Sequence, residues 1–178
     1  MRIRPAKERD ARQIASVHVR GWQAAYQDMV PQPTLDSLSE AAYEDRWRRG
    51  LRDPLAEDRT FVAVEGERVV GVASTGLCRD DDQPIGTAEL FLVYVDPDRI
   101  ATGIGRELLR HAERDLAARG YLRATLWVLA ENNRARRFYQ IAGWRADGSD
   151  HALDMSGEAV VEVRYERELR AGLIPSSS

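Results

Sequence analysis

Two glycines, Gly103 and Gly105, separate a short apolar run from a helical pattern, and this junction constrains the fold more than any other stretch. The run, residues 90–95 (Leu-Phe-Leu-Val-Tyr-Val), is too short for a typical helix and is rich in β-forming residues. Around and beyond the second glycine, apolar residues recur at helical spacing, at Ile104 and Leu108. The stretch therefore predicts a strand, a tight loop and a helix in succession.

The glycine junction also has a chemical interpretation. Glycine has no Cβ, so backbone N–H groups can approach a ligand closely. A helix N-terminus adds unpaired N–H groups and the positive end of the helix dipole, and the combination often binds phosphate. Because glycine also starts helices for steric reasons, the junction alone leaves phosphate binding and simple turn formation both open.

Length and composition indicate one globular domain, which we place at residues 1–169, followed by a flexible tail at 170–178. The 178 residues are 43% hydrophobic and 31% charged, which suits a chain with a buried core. The net charge of −3 argues against a dedicated nucleic-acid-binding protein, which would carry a basic surplus. No apolar run reaches membrane length, and residues 1–5 do not begin a signal peptide, so we expect a cytoplasmic protein without a membrane partner.

Two features that could bind a metal have simpler interpretations. Cys78 is the only cysteine, so no internal disulfide or cysteine cluster can form, and a small packing residue is favoured. Asp80, Asp81 and Asp82 are adjacent rather than spaced like a calcium loop, which favours a solvated turn. We therefore expect no metal site.

The hydrophobic periodicity predicts elements in the order β-α-α-β-β-β-α-β-α-β-β. This order is typical of an α/β or α+β fold with one mixed central sheet. The glycine junction then lies at the carboxyl end of a central strand, where ligands of such sheets tend to bind. The predicted strands are residues 1–4, 60–64, 69–77, 89–95, 122–129, 143–146 and 160–165, and the predicted helices are residues 8–26, 35–51, 103–119 and 132–142.

An aromatic stripe lies on the first predicted helix. His18, Trp22 and Tyr26 follow one another at i, i+4 spacing, so their side chains share one face. Such a stripe either packs at the edge of the core or lines a pocket for a substrate, and both interpretations stay open.

Three blocks of residues together resemble one family. The first runs from Glu89 through the glycine junction to Leu109, and the second runs from Leu126 through Asn132 to Tyr139. The third is Gly143-Trp144. In order and spacing these blocks resemble the GNAT superfamily of acyl-CoA-dependent N-acyltransferases, over about residues 1–148. The resemblance implies a GNAT-type mixed sheet flanked by helices, in which two strands splay apart to form an acyl-CoA cleft.

The resemblance implies acetyl-CoA as the acyl donor, held mainly by backbone groups. The loop at residues 101–106 would bind the diphosphate, and the backbone of residues 93–95 would pair with the pantetheine amides and polarise the thioester. Ile100 and Thr102 depart from the family pattern, which commonly has charged or polar residues there, so this loop depends on its N–H groups. The residues expected at the donor are Val93, Tyr94, Val95, Ala101, Thr102, Gly103, Ile104, Gly105, Arg106, Asn132 and Tyr139.

Two residues are expected to carry proton transfer. Tyr139 matches the family tyrosine that protonates the leaving thiolate, although a tyrosine on this apolar helix face also suits the core. Glu89 matches the general base of the histone-acetyltransferase branch, and strict alternation places it on the same face as Val93 and Val95 unless a bulge intervenes. His18 is a weaker alternative base.

The implied reaction is direct attack of a primary amine on the thioester in a ternary complex. The acceptor is a small-molecule or peptide amine, and Trp22 and Tyr26 are the residues expected near it. A non-catalytic acyl-CoA-binding or sensor protein on the same fold is the main alternative. A structural domain that has lost its cofactor is the third, and the intact glycines and Asn132 disfavour it. A homodimer is common in the family and is compatible with this sequence.

Overall fold

A seven-stranded mixed sheet organises the protein, and the computed structural model describes residues 1–53 and 57–169. The predicted tail at residues 170–178 lies outside the described residues. The strands, in the sheet order β1-β2-β3-β4-β5-β7-β6, are β1 (Arg2–Pro5), β2 (Arg59–Glu65), β3 (Arg68–Leu77), β4 (Ala88–Val95), β5 (Arg123–Leu129), β6 (Arg145–Met155) and β7 (Glu158–Glu168). The helices are α1 (Ala11–Tyr26), α2 (Gln32–Asp36), α3 (Glu40–Arg52), α4 (Ile104–Ala118) and α5 (Asn133–Ile141).

The sheet is antiparallel except at its centre. Only β4 and β5 run parallel, as neighbours joined through α4. Helix α4 packs on one face, where Leu108 and Leu109 are almost completely buried against β2 and β3 residues. Helices α1 and α3 cover part of the other face through Ile14, Val17 and Trp47. The predicted mixed sheet flanked by helices is confirmed. Within the described residues, no helix is long and apolar enough to span a bilayer.

The region after α1 differs from its prediction. Residues 35–51 were expected to form one helix, but the chain forms the short α2, breaks, and restarts as α3. Ser39 causes the restart because its side-chain oxygen accepts a hydrogen bond from the Ala42 N–H at 3.3 Å and so caps α3. Helix α2 lies beside the β6–β7 hairpin, where Thr34 Oγ1 is 2.8 Å from Ser156 Oγ.

The last two strands are longer than their patterns suggest. The segments expected at residues 143–146 and 160–165 grow into the 11-residue strands β6 and β7, joined by a tight turn at Ser156-Gly157. Residues 147–150 (Asp-Gly-Ser-Asp) are poor β-formers, so periodicity alone misses this part of β6. Residues 147–149 have no partner in the register and form a bulge opposite Arg164, and a salt bridge of 2.6 Å from Arg164 to Asp147 holds this bulge against β7.

A bulge in β4 changes which side chains share a face. The register with β3 shifts after Leu90, and Phe91 is the extra residue. Leu90, Val93 and Val95 consequently pack on the α4 side, whereas Leu92 packs on the α1 side. Glu89 therefore lies on the α1 side, away from Val93 and Val95. The prediction that strict alternation places these three residues on one face is wrong, because a bulge intervenes.

The close approach of α4 to the sheet predicts the effect of an added methyl group at Gly71. A Cβ there would lie 2.8 Å from Leu108 Cδ1 and 3.1 Å from the Tyr94 carbonyl oxygen. Since Leu108 is fully buried and the carbonyl belongs to a strand, Gly71→Ala should lower the free energy of unfolding by about 1–3 kcal/mol. Urea denaturation measures this change.

Gly50 provides the matched control. It lies in α3, and a Cβ added there meets nothing within 4 Å. Gly50→Ala should therefore raise the free energy of unfolding by roughly 0.5–1 kcal/mol, through helix propensity. Equal effects of the two substitutions would contradict the close α4–β3 contact.

Candidate active site

The central feature of the site is a gap between the two parallel strands. β4 and β5 pair only at Ala88–Ala124 and Glu89–Thr125, and beyond these residues the strands separate. The next residues of β4 thus have a strand neighbour on the β3 side alone. Backbone groups that face the gap need another partner, because unpaired buried N–H and C=O groups are costly.

The register identifies which β4 backbone groups face the gap. The Asp96 N–H donates to the Val70 carbonyl at 2.9 Å, so Asp96 belongs to a hydrogen-bonded pair with β3. The direction of the backbone N–H group alternates along a strand. The Tyr94 N–H therefore also faces β3, and the N–H groups of Val93 and Val95 face the gap. Val93, Tyr94 and Val95 are the residues expected to pair with the donor. The register directs the N–H groups of Val93 and Val95 toward the gap and that of Tyr94 toward β3.

The N-terminus of α4 lies at the end of this gap. Gly103, the residue before the helix, has φ of 90° and makes no capping side-chain hydrogen bond, and Ala101 is also left-handed at φ 65°. The Thr102 hydroxyl donates to the Arg99 carbonyl at 2.6 Å and so stabilises the loop. The first N–H groups of α4 thus have no side-chain cap within the described residues, which suits an anion.

The side-chain charge around this loop is low. Arg99 is held by Glu65 at 3.1 Å, which leaves its guanidinium directed toward β2. Arg106 is exposed and has no ion pair among the described residues. Any phosphate bound here would depend on backbone N–H groups first and on Arg106 second.

Helix α5 borders the gap from the α4 side. Asn132 is buried, and its side-chain oxygen accepts from the Ala135 N–H at 3.0 Å, so it caps this helix. Two turns later, Tyr139 packs its ring against those of Phe138 and Trp144. Burial, and to a lesser extent the nearby Tyr26, raises the pKa of Tyr139 well above its usual value. The phenol therefore stays protonated at neutral pH.

Two further phenols lie close to Tyr139 and come from the opposite side of the sheet. The hydroxyls of Tyr26 and Tyr94 are 3.3 Å apart. Burial raises the pKa of both, and Tyr94 also responds electrostatically to Tyr139. The gap is thus bordered by three neutral hydroxyls, one each from α1, β4 and α5. The sequence suggested only a backbone role for Tyr94, because its side chain was expected simply to alternate with its neighbours.

Glu89 lies where the two strands begin to separate. Its carboxylate accepts a hydrogen bond from the Arg79 N–H at 3.3 Å. The Arg79 guanidinium instead pairs with Asp58 and covers the Phe91 ring, 4.1 Å from its centroid. Burial raises the pKa of Glu89 above its ordinary value. A half-buried carboxylate of raised pKa is a stronger base than an exposed one.

A buried arginine holds the loop beside Glu89. Arg164 of β7 binds Asp80 at 3.1 Å, Asp82 at 2.6 Å and Asp147 at 2.6 Å. Trp127 adds an indole N–H bond to Asp80 at 3.1 Å. The prediction of a merely solvated turn is therefore wrong for Asp80 and Asp82. No local pattern in the sequence marks this contact, because Arg164 is one of several charged residues of β7, with Glu162, Glu166 and Arg167 around it.

His18 is packed into an aromatic cluster. It is 9% exposed, and its ring lies 4.7 Å from Tyr94 and 4.6 Å from Tyr43 between centroids. Burial, with a smaller contribution from the Arg46 charge, lowers the pKa of His18 to about 4. Of the predicted stripe, His18 packs in the core, whereas Trp22 and Tyr26 extend toward the gap, 4.8 Å apart between ring centroids. No group of three or more metal-binding side chains is arranged for a metal among the described residues.

Comparison with known proteins identifies the family. The sequence profile of the acetyltransferase (GNAT) family matches residues 22–144, which include the end of α1, the gap, the glycine junction and Tyr139. The chain belongs to the GNAT family. The uncharacterized N-acetyltransferase YuaI of Bacillus subtilis (strain 168) is 34% identical over 163 residues, covering 90% of this chain and 89% of that protein. The protein is therefore an acetyltransferase.

Solved structures agree with the GNAT fold. The PaiA N-acetyltransferase of Thermoplasma acidophilum, in complex with coenzyme A, superposes with a TM-score of 0.74 at 19% identity, covering 94% of this chain and 98% of that one. The ribosomal-protein-alanine N-acetyltransferase of Brucella melitensis also gives a TM-score of 0.74, at 21% identity, with coverages of 95% and 100%. At these identities the likeness establishes the GNAT architecture.

The burial of His18 predicts a pH dependence of stability. Between a pKa of about 4 in the folded protein and 6.5 in the unfolded chain, the unfolded chain binds more protons, so the free energy of unfolding falls as the pH is lowered. From pH 7 to pH 5 the His18 contribution should fall by about 2 kcal/mol. Urea denaturation of wild type and His18→Phe at both pH values should show a correspondingly smaller loss in the variant.

His111→Phe is the control for this measurement. Burial also lowers the pKa of His111, but this side chain is only half-buried against Phe61. Its substitution should reduce the pH-dependent loss by less than His18→Phe does. Indistinguishable losses in wild type and His18→Phe would show that His18 is not the responsible group.

Proposed function

We propose that this GNAT protein transfers an acetyl group from acetyl-CoA directly to a primary amine in a ternary complex. The observation that carries the proposal is the β4–β5 gap, with backbone N–H groups on one side and a neutral tyrosine and a carboxylate beside it. Such a gap accepts an extended amide-containing chain in place of the missing strand.

Donor binding would divide into two parts along the gap. The N–H groups at the start of α4 suit the diphosphate, and the Val93 and Val95 backbone groups suit the pantetheine amides. One of these N–H groups would also donate to the thioester oxygen as negative charge develops there. Asn132, in addition to capping α5, lies in the chain where the gap meets this helix and is a further donor contact.

Glu89 is the proposed general base. An amine must lose a proton to attack a thioester, and the raised pKa of this half-buried carboxylate makes it a better acceptor for that proton. The bulge at Phe91 places Glu89 on the α1 side of the sheet, which is the side that also carries Trp22 and Tyr26. We therefore place the acceptor amine on that side, with a small molecule or a peptide as its source.

Tyr139 is the proposed general acid. Its phenol stays protonated because burial and a neighbouring tyrosine oppose ionisation. A protonated phenol can donate a hydrogen bond to the departing thiolate and stabilise the charge that develops on sulfur; complete proton transfer to a thiolate whose conjugate acid has a pKa near 8.5 requires that the bound donor lower the pKa of the phenol. Donor and acceptor thus meet at the gap from opposite faces, the α4–α5 face and the α1 face.

Two substitutions test the proposed roles. Tyr139→Phe and Glu89→Gln should each lower the turnover rate by about 100-fold, the usual contribution of a positioned acid or base. Thiol release from acetyl-CoA, measured over an amine panel, gives the rates. The turnover rate of the wild-type protein should fall as the pH is lowered through the raised pKa of Glu89. In Glu89→Gln this fall of the turnover rate at low pH should be absent.

Tyr121→Phe is the matched control, since it removes a phenol hydroxyl outside the gap and keeps the ring, over which the Arg119 guanidinium lies 5.1 Å from the centroid. It should retain wild-type rates. Unchanged rates in both Tyr139→Phe and Glu89→Gln would refute the assigned roles. Stabilisation by acetyl-CoA in thermal unfolding, without thiol release from any amine, would instead favour the sensor alternative.

A further inference from the structure

The β3–β4 loop, residues 78–87, extends over the face of the sheet that carries Glu89. Asp80 and Asp82 of this loop bind Arg164 of β7 at 3.1 and 2.6 Å. Because β5 lies between β4 and β7 in the sheet, the loop crosses β5 to reach this arginine. The ion pairs therefore fasten the loop across the parallel strand pair.

Asp80 is bound by side chains from two neighbouring strands. Trp127 of β5 and Arg164 are cross-strand partners, so their side chains share a face. The Trp127 indole N–H donates to Asp80 Oδ2 at 3.1 Å. Arg164 is only 4% exposed, and it also donates to Asp147 and Ser149 of the β6 bulge at 2.6 and 2.8 Å. The donors that hold Asp80 are thus fixed by the sheet itself.

The residue before Asp80 makes the contact that orients Glu89. The Arg79 N–H donates to Glu89 Oε2 at 3.3 Å, and Glu89 has no other hydrogen bond or ion pair within residues 1–53 and 57–169. Its second oxygen, Oε1, is therefore left to accept the proton of an amine. The Arg79 side chain is held separately, by Asp58 at 3.3 Å and over the ring of Phe91.

A single amide contact makes the Glu89 carboxylate depend on where that amide lies. The hydrogen bond fixes the orientation of the carboxylate and favours its ionised form. Consecutive Cα atoms are only about 3.8 Å apart, so fixing the Asp80 side chain restricts the position of the Arg79 amide. A displaced Asp80 would therefore weaken the contact that orients Glu89.

We propose that Arg164 and Trp127 are positioning residues for the general base: they fix Asp80, and through it they hold the Arg79 amide against the Glu89 carboxylate. The inference rests on the proposed function, because these two residues act on the reaction only through Glu89. Neither is assigned a contact with the acyl donor or with the reacting amine.

The charges around Glu89 decide which substitution tests this role. The charged or titratable groups that face it are Asp80 and Arg79 of the loop, Cys78 at the start of the loop, and Asp58 before β2. Substitution of Asp80 would change both the position of the loop and the local charge. Trp127 is neutral, so its substitution changes the position of the loop alone.

Trp127→Phe keeps an aromatic ring and removes the N–H bond to Asp80. The weaker Arg79 contact should then raise the pKa of Glu89 further, because burial already raises it and this N–H bond opposes the rise. With acetyl-CoA and the most reactive amine of the panel, kcat at pH 7 should fall roughly three- to tenfold, as for one lost hydrogen bond. The fall of kcat at low pH should move upward by about half a pH unit. KM for acetyl-CoA should not change.

A double-mutant cycle shows whether the effect passes through Glu89. In the Glu89→Gln background, Trp127→Phe should cause no additional fall in kcat, because both residues act through one carboxylate. Falls of equal size in the two backgrounds would overturn the inference. Arg164→Lys keeps a positive charge but cannot bind Asp80 together with its other carboxylate partners, so it should shift the pH profile in the same direction as Trp127→Phe.

Trp47→Phe is the matched control. Its indole N–H is buried without a hydrogen-bond partner among the described residues, and its ring packs against α1-side core residues. This variant should keep the kcat and the pH profile of the wild-type protein, even where the free energy of unfolding falls. A shift of the profile equal to that of Trp127→Phe would show that general destabilisation is responsible, and would overturn the inference.

A titration without turnover separates this inference from the proposed function. Carbon NMR of the Glu89 carboxyl group, assigned by the loss of its signal in Glu89→Gln, measures the pKa of Glu89 directly. The pKa should rise in Trp127→Phe and keep its wild-type value in Trp47→Phe. No thiol release from any amine would refute the proposed function, while this titration would still decide whether Trp127 and Arg164 act on Glu89. An unchanged pKa of Glu89 in both Trp127→Phe and Arg164→Lys would overturn the inference.

Discussion

The early end of the β4–β5 pairing is the constraint on which the rest of the site depends. Two residue pairs keep the strands together, and after them the Val93 and Val95 backbone groups face a gap instead of a strand. Buried backbone N–H and C=O groups need hydrogen-bond partners, so the gap favours an extended ligand that carries amide groups, as a strand does. The glycine junction at Gly103 then places a helix N-terminus at its end. Under the proposed function, recognition of the acyl donor would thus depend on the sheet geometry more than on particular side chains.

The two faces of the sheet contribute different chemistry. On the α4–α5 side, backbone N–H groups and the protonated Tyr139 suit an acyl donor. On the α1 side, Glu89 is the proposed base for the acceptor amine. The phenols of Tyr26, Tyr94 and Tyr139 lie where the two sides meet. Arg164 adds a structural connection, since it ties the loop beside Glu89 to the β6–β7 pair.

Local sequence patterns predicted most of the fold and the donor side of the site. Short-range signals suffice there: apolar runs, the glycine junction, and Asn132 as the cap of α5. The acceptor side depends on contacts between residues far apart in sequence. The bulge at Phe91 and the ion pairs of the buried Arg164 with Asp80 and Asp82 have no periodic signal in the sequence. Contacts between segments that are far apart in the sequence determine these features, so local sequence patterns could not predict them.

The surface pocket of about 580 Å³ between the turn after α1, the end of β5 and the start of β7, whose carboxylates are Asp28, Glu131 and Glu158, has a consequence for how this scaffold can be altered. Its three carboxylates lie on turns and strand ends rather than in the central strands, and none is paired with an arginine among the described residues. Their exchange should therefore cost little folding stability, unlike changes at Gly71 or Arg164. The backbone groups proposed to bind the acyl donor would be unaffected by such exchanges. Under the proposed function, exchanges on the turn after α1 and on the β6–β7 hairpin would therefore change the acceptor side while they leave the donor side intact.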